Sequence, residues 1–420
     1  MAATSSNYSD VLKIVYERTI AMQFTINMIL LRLLKKKVEK RVQGQKLQYF
    51  NDIGVSGGVG WSRNNTLPAD GAALQELAEF NWETMRGAIG VEGDIMDDSA
   101  SNDAAFVNVM EREQNSLIKE LSHFAGVTLA GDGTGQVATI ESVTNSTTFV
   151  VADARLLVSG MRVDIIRISD GGVGGGAAGV RIKVNKHNRT CTIIEDRSLG
   201  DSTTVSAALT SYALYMPGAR NAVPVGLAGI VDDANPPSGV GNYGAIDRSD
   251  NANAFWQAWR YHNDGNARPI HPGLIADALT DIKTEMGDEE PGNRILLAHP
   301  KQCNELKKWL QANTSYFGGE TTIATWYKTI MFQGDIPIVE SSFIAPDRMY
   351  LLNLEDFRFI QDREGHWQSN DPNGGGGIWR WVEQRDAYKA YWKHNWLLGC
   401  LAPRNNAVIE DLEYDTPMAA

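Results

Sequence analysis

The chain has 420 residues, of which 43% are hydrophobic and 40 are glycine, so it can bury a sizeable core and is richer in glycine than an average globular protein. Its formal net charge is −12, yet residues 1–50 carry nine basic and three acidic side chains, a net charge of +6. The remainder is therefore strongly acidic, which argues against a general nucleic-acid binder, because phosphate binding needs clustered Lys and Arg.

Three cysteines, Cys191, Cys303 and Cys400, lie far apart and form no C-x-x-C pair, so a disulfide framework is excluded. The start of the chain lacks the basic cluster and apolar run of a signal peptide. The most apolar stretch, 28–34, contains Arg32 and is far shorter than the roughly 20 residues that span a bilayer. We expect a soluble protein, made in a reducing compartment, with no membrane contact.

Residues 10–41 contain neither Gly nor Pro and repeat apolar side chains near helical spacing. This pattern predicts one or two amphipathic helices that end in a basic patch formed by Lys35, Lys36, Lys37, Lys40 and Arg41. Such a patch is either a solvated helix face or a site for an acidic partner or a membrane.

Residues 51–73 are rich in Gly, Asn and Asp and include Trp61 and Arg63. A segment of this composition buries too little apolar surface to order itself. It is a functional loop, a disordered segment or an extended arm that lies on a neighbouring subunit.

A strand is predicted over 80–96, and a long helix with one apolar face begins at Asp97 and ends at Gly126. A turn, Gly131-Asp132-Gly133-Thr134-Gly135, follows. The next residues read as short strands separated by turn signals, which indicates a small sandwich or barrel that closes near Pro224; the predicted strands are 137–143, 147–151, 163–168, 180–184 and 191–194.

The second half mixes both element types, so the fold class is α+β. Helices are predicted over 275–286 and from Pro300 to 310, and short strands over 294–298, 336–339 and 349–354. Two long strands, 357–367 and 378–398, are joined by a Gly-rich loop that contains Asn370, Asp371 and Asn373.

Few residues suggest chemistry, and we predict no catalytic, cofactor or metal site. The G-x-G-x-x-G run at 174–179 precedes a strand pattern rather than a helix, so it is read as a hairpin tip. The seven histidines form no metal-binding pair. His123 shares a helix with Glu120 and is interpreted as a helix-surface or core histidine, with a general base as the alternative. Eleven tryptophans leave a glycan-active enzyme as an alternative, although the four at 379, 381, 392 and 396 alternate like sheet-packing residues.

The order of these features resembles the major capsid proteins of tailed double-stranded DNA bacteriophages, which share the HK97-like fold. The resemblance covers nearly the whole chain. It rests on the helical arm, the Gly/Asn loop, the long helix that ends near Gly-Asp-Gly-Thr-Gly, and four short motifs: 226–233 (GLAGIVDD), 243–249 (YGAIDRS), 336–340 (IPIVE) and 349–353 (MYLLN).

The resemblance implies a division of the chain along the lines of that fold. An N-arm would occupy 1–46, an E-loop 47–80, and a P-domain strand with a long spine helix 81–130. An all-β insertion domain at 136–222 would precede an A-domain at 225–350, and a P-domain return hairpin and C-terminal segment would complete the chain at 351–420.

The implied function is a virion structural protein, not an enzyme, that assembles in the host cytoplasm into an icosahedral shell around double-stranded DNA. Its implied partners are copies of itself in pentamers and hexamers, the packaged DNA, and scaffolding, portal and decoration proteins. Tail and portal proteins remain alternatives. The residues expected at contacts between subunits are Lys35, Lys36, Lys37, Arg41, Trp61, Arg63, Asn370, Asp371 and Asn373.

Some relatives join an E-loop lysine to an asparagine of a neighbouring P-domain. Between Lys46 and Lys119 this chain has no lysine, and a guanidinium such as that of Arg63 is not a usable amine nucleophile. We therefore expect a shell without covalent cross-links.

Overall fold

The computed structural model describes residues 29–38, 46–54, 59, 71–72, 74–92, 103–145, 147–169, 171–172, 177–194, 211–286, 293–313, 331–332, 336–369, 378–382 and 386–414. In these ranges, no helix is long and apolar enough to cross a membrane.

The first half of the described chain contains a short helix, a projecting hairpin, a long helix and a run of six strands. Its elements are α1 (Ile29–Leu33), β1 (Lys35–Val38), β2 (Leu47–Gly54), β3 (Leu74–Phe80), β4 (Glu83–Glu92), α2 (Asp103–Ala130), β5 (Gln136–Asn145), β6 (Thr148–Val151), β7 (Arg162–Arg167), β8 (Ala177–Asn185), β9 (Thr190–Ile194) and β10 (Tyr212–Tyr215).

The second half alternates helices and strands. Its elements are α3 (Leu227–Ile230), β11 (Trp259–Tyr261), α4 (Pro272–Met286), β12 (Arg294–Ala298), α5 (Pro300–Asn313), β13 (Met331–Phe332), β14 (Ile336–Glu340), β15 (Met349–Asn353), β16 (Phe357–Gln361), β17 (His366–Trp367), β18 (Trp379–Trp381), β19 (Ala387–Cys400) and β20 (Ala407–Ile409), with short 3-10 turns at Tyr243–Ala245, Asn251–Trp256 and Pro403–Asn405.

The 14-residue strand β19 organises the first sheet, because β4, β16, β17 and β18 all pair with it antiparallel. The 28-residue helix α2, about 42 Å long at 1.5 Å per residue, packs across this sheet. Gly87 of β4 permits the approach, since a Cβ there would stand 2.9 Å from a methyl group of Leu117. Sheet and helix share one large core.

Strands β5 to β10 form a closed antiparallel barrel in the order β10-β5-β6-β9-β8-β7. Its interior is filled by side chains with no exposed surface, among them Phe149, Val163, Ile182 and Leu214. The β-rich segment predicted at 136–222 is thus a barrel with its own core, and closure leaves no sheet edge unpaired. One of its strands, β10, has no counterpart among the strands predicted from the sequence.

A third, mixed sheet has the order β11-β20-β15-β12-β14-β13. The apolar face of α4, formed by Ile275, Leu279 and Ile282, packs on it and makes a separate core. The last strand, β20, belongs to this sheet and pairs with β11 and β15. The predicted segment 351–420 is therefore divided between two sheets, and Tyr243 and Trp256 of the predicted 225–350 segment lie in the core of the first sheet.

Several predicted elements were wrong in their type or their ends. The helix predicted to run to residue 41 ends at Leu33, and Lys35–Val38 form a strand that pairs parallel with β16. Leu30, Leu31 and Leu34 are buried in the main core, so tertiary pairing has overridden helix propensity. Residues 10–28 lie outside the described residues.

The long helix continues past Gly126 to Ala130. Gly126 is a packing position rather than a helix end, because a Cβ there would lie 2.6 Å from the ring of Phe343. The two long strands predicted at 357–367 and 378–398 are each interrupted. In the second case, β18 and β19 pair antiparallel, so the chain reverses between Trp381 and Ala387.

Candidate functional site

The structure places only some of the predicted subunit-contact residues. Lys35, Lys36 and Lys37 lie in the edge strand β1, opposite Arg358, Phe359 and Ile360 of β16. The remaining six residues lie outside the described residues: Arg41, Trp61, Arg63, Asn370, Asp371 and Asn373.

The predicted E-loop begins and ends in a two-stranded antiparallel hairpin, β2–β3, that pairs with no other strand among those the structure describes. At its base, Lys46 pairs with Glu79 at 2.8 Å, and the ring of Phe80 meets that of Tyr243 edge-on at 5.1 Å. Farther out, Phe50 is 73% exposed and Val59 is 94% exposed. An isolated two-stranded hairpin is only marginally stable in water, so this one is suited to packing on another surface.

The two motifs 226–233 and 243–249 fold onto each other around Arg248, whose side chain is only 1% exposed. Its guanidinium donates to the carbonyl oxygens of Gly229 at 3.0 Å, Ala234 at 3.0 Å and Ile230 at 2.7 Å. Desolvation lowers the pKa of Arg248. These contacts fix the chain that leaves α3, so the motif has a structural role.

Tyr243 connects this motif to the first sheet. Its hydroxyl donates to the carbonyl of Leu398 at 3.3 Å and accepts from the backbone N–H of Cys400 at 2.7 Å. The indole N–H of Trp256 donates to the Tyr243 carbonyl at 2.8 Å, and the two rings stack at 5.7 Å. Burial raises the pKa of Tyr243, so the phenol stays neutral and acts as a fixed strut.

A cavity of about 530 Å³ lies where α2, the barrel and the third sheet meet. Arg260 lies between three carboxylates there, at 3.7 Å from Asp232, 3.3 Å from Asp233 and 2.8 Å from Glu410. Arg348 approaches Glu410 from the other side, at 3.2 Å. Burial, followed by the hydrogen bond to Asp233, raises the pKa of Asp232 to about 6.

Charge in this cavity is balanced by side chains from different segments. Because both arginines contact Glu410, the cluster ties β11, the 232–233 loop and the chain after β20 together. Within the described part of the chain, no group of three or more His, Cys, Asp or Glu side chains could hold a metal ion.

Most of the tryptophans of the first sheet pack rather than face solvent. Of the four tryptophans predicted to pack, Trp392 and Trp396 are each 2% exposed and Trp379 is partly buried, and Trp367 is also 2% exposed. Trp381 departs from that pattern: it is 54% exposed and meets Tyr388 edge-on at 5.1 Å. His123 is partly buried, with its Nε2 2.6 Å from the carbonyl oxygen of Leu156, so it joins α2 to the barrel.

One feature that the sequence interpretation missed is a basic face on the first sheet, on the side opposite α2. Gly87 marks the covered side, and the alternate positions Arg86, Ala88 and Gly90 are exposed. On β19, Lys389 and Tyr391 are likewise exposed and Lys393 is partly buried. The alternation of residue type along β4 and β19 is a signal that could have revealed this face.

No protein-family model matches the chain, and no curated protein matches it. Among solved structures it is similar to a chain of the cyanophage A-1(L) capsid asymmetric unit, with 13% identity over 91% of this chain and 92% of that chain and a TM-score of 0.51.

Two more distant similarities are to the satellite phage P4 procapsid (12% identity, 94% and 90% coverage, TM-score 0.42) and to the holo-SrpI encapsulin complex from Synechococcus elongatus PCC 7942 (13% identity, 92% and 89% coverage, TM-score 0.41). The similarity to the cyanophage A-1(L) capsid chain shows that this chain has the HK97-like fold, which confirms the fold class predicted from the sequence.

Proposed function

We propose that this chain is the major capsid protein of a tailed double-stranded DNA bacteriophage. In this role it assembles into an icosahedral shell of pentamers and hexamers and has no enzymatic activity. The observation that carries the proposal is the HK97-like fold along 91% of the chain, since this fold is shared with a phage capsid subunit of nearly the same extent.

Two features of the isolated subunit favour assembly. Phe50 of β2 and Val59, in the chain between β2 and β3, are exposed, so a neighbouring copy would cover apolar surface that the subunit itself leaves in water. The edge strand β1 pairs on one side only among the described strands, which leaves backbone donors and acceptors for another chain.

The partners follow from the proposed role. They are further copies of this chain, packaged DNA on the inner face, and scaffolding, portal and decoration proteins, with assembly in the host cytoplasm and final residence in the virion. The subunit contacts would include Lys35, Lys36, Lys37, Arg41, Trp61, Arg63, Asn370, Asp371 and Asn373.

The rival function, a glycan-active enzyme, finds little support in the described residues. Sugar binding needs exposed aromatic faces, whereas Trp367, Trp392 and Trp396 are buried, and of the other two tryptophans described in the first sheet Trp379 is partly buried and Trp381 is exposed. The carboxylates in the cavity, at Asp232, Asp233 and Glu410, are each contacted by Arg260, which offsets their charge.

Electron microscopy of the purified full-length chain, expressed alone and with its scaffolding partner, tests the proposal. Closed shells built from pentamers and hexamers are the expected result. Rings or tubes would instead indicate a portal or tail protein, and a monomer that turns over a glycan would indicate the enzyme. Nucleic acid extracted from particles of the native source should be double-stranded DNA, and particles filled with a protein cargo would contradict the phage assignment.

A further inference from the structure

The basic face of the first sheet contains two pairs of like charges in direct opposition. Arg86 of β4 lies opposite Lys393 of β19, and Lys389 of β19 lies opposite Arg380 of β18. Like charges directly opposite each other across a strand pair are destabilising. The fold therefore concentrates positive charge where sheet stability alone would disfavour it.

The face also carries the carboxylate of Glu92, which lies diagonal to Lys389 across the β4–β19 pair, so its four cations leave a net positive charge. Among the described residues, Arg86, Lys389 and Lys393 have no ion-pair partner, and the guanidinium of Arg380 lies 5.8 Å from the ring centroid of Tyr391. The positive field acts on a neighbour as well: after burial, Arg363 and Lys393 lower the pKa of His366, which faces Lys393 across the sheet.

The centre of this face is flat. Between the two charged rows, Ala88 lies opposite the ring of Tyr391, and Gly90, opposite Lys389, adds no side chain to the second row. A second surface can therefore approach the sheet closely, with an aromatic contact in the middle and cations on both sides. This arrangement is typical of a protein interface, where Arg and Tyr are enriched.

The geometry points to an acidic surface of a second copy of this chain as the occupant of the basic face, which comprises Arg86, Arg380, Lys389, Lys393 and Tyr391. The net charge of the chain, −12, makes every other copy an acidic partner on average. Docking would place carboxylates of the second copy against the like-charge pairs and relieve their repulsion. The electrostatic repulsion in the free subunit would then favour association. This inference deepens the proposed function by naming a surface through which subunits associate.

The substitution Arg86→Glu separates an interface role from a structural one. It converts the repulsive Arg86–Lys393 pair into an attractive one, so the free subunit should melt at the same or a higher temperature. Association, measured by sedimentation velocity across a concentration series near 0.1 M salt, should weaken by roughly tenfold. Lys389→Glu should act in the same way, and the difference from the wild type should shrink at 1 M salt.

Lys183→Glu is the matched control, because it introduces the same change of charge at an exposed position on β8 of the barrel. Association equal to wild type in both face variants, or an equal loss in the control, would overturn the inference. So would a variant that associates normally but loses salt-sensitive binding to double-stranded DNA, since the face would then belong to a polyanion.

The experiment can refute the inferred interface without refuting the proposed function, and the reverse. Closed shells formed by Arg86→Glu at the wild-type rate would refute the interface and leave the capsid assignment intact. Oligomers that depend on Arg86 but never close would refute the capsid assignment alone, and a wild-type chain that stays monomeric at every concentration would refute both.

Discussion

Replacing Arg248 with Met tests whether the buried guanidinium holds the 226–249 region together. Methionine has similar length and fills the space, but it removes three hydrogen bonds from a charged donor to the carbonyls of Gly229, Ile230 and Ala234. Each such bond contributes about 1.5–3 kcal/mol, and the relief of burying a cation offsets part of the loss. We expect the free energy of unfolding to fall by about 3–5 kcal/mol.

Urea unfolding followed by tryptophan fluorescence suits this measurement, because Trp256 stacks on Tyr243 beside the substituted site. The control is Arg404→Met, which removes an exposed ion pair to Glu285 at 2.9 Å and should cost less than about 1 kcal/mol. An Arg248→Met protein within about 1 kcal/mol of the wild type would show that those carbonyls find other partners.

Three further predictions concern pH, cross-linking and the N-terminal segment. Because the pKa of Asp232 is raised to about 6, the protonated carboxyl stabilises the folded state below pH 4, and this contribution is lost as the pH rises through 6. Asp232→Asn should therefore reduce the change in unfolding free energy between pH 4 and pH 6 by about 1–3 kcal/mol. A pH profile identical to that of the wild type would contradict this prediction. Boiled particles should give a single monomer band on a denaturing gel, since no E-loop lysine is available, and a ladder of oligomers would refute the argument. Deletion of residues 1–28 should leave a subunit that melts cooperatively but forms no shells, and normal shells from this variant would contradict the prediction. Deletion of residues 1–45 should also lower the melting temperature, because it removes Leu30, Leu31 and Leu34 from the core.

The elements that the sequence predicted well are those whose pattern is local. The spine helix and the barrel strands β5 to β9 have apolar side chains at helical or alternating spacing, which is decided within a few residues. Strand β10, Tyr212–Tyr215, was missed because it is only four residues long and all four are buried, so neither its length nor an alternation marks it. Strand β1 was mistaken for helix because its pairing partner, β16, lies more than 300 residues away.

Functional surfaces were harder to predict than elements. Arg248 lies in a motif that the resemblance singles out, yet its partners come from another motif and only folding brings them together. The basic face depends on register: Arg86 and Lys393 become neighbours through ten residues of pairing between β4 and β19. Charge sums over the sequence concealed this face, because the whole chain is acidic.

The chain enters and leaves the barrel at one place, so the barrel can be excised without rearranging the rest of the subunit. The backbone N–H of Asn221 donates to the carbonyl of Thr134 at 3.0 Å, and that of Ala228 donates to the carbonyl of Gly131 at 3.2 Å. The two segments that connect the barrel to the rest of the subunit therefore lie side by side. Gly226 allows this, because a Cβ there would lie 2.2 Å from the carbonyl oxygen of Thr128. A short glycine link can therefore replace residues 133–224 without moving α2 or α3.

Excision should leave a body that unfolds cooperatively at a lower temperature. It loses the hydrogen bond from Arg155 to the carbonyl of Phe343 at 3.0 Å and the contact of His123 with Leu156, and it uncovers Val127 at the end of α2. The excised fragment, 133–224, should fold alone, because the barrel is closed and has its own core. Circular dichroism and thermal melting of both pieces test this division. A random-coil spectrum from the fragment, or an excised body that unfolds without a transition, would mean that the barrel core and the helix that supports it fold only as one unit.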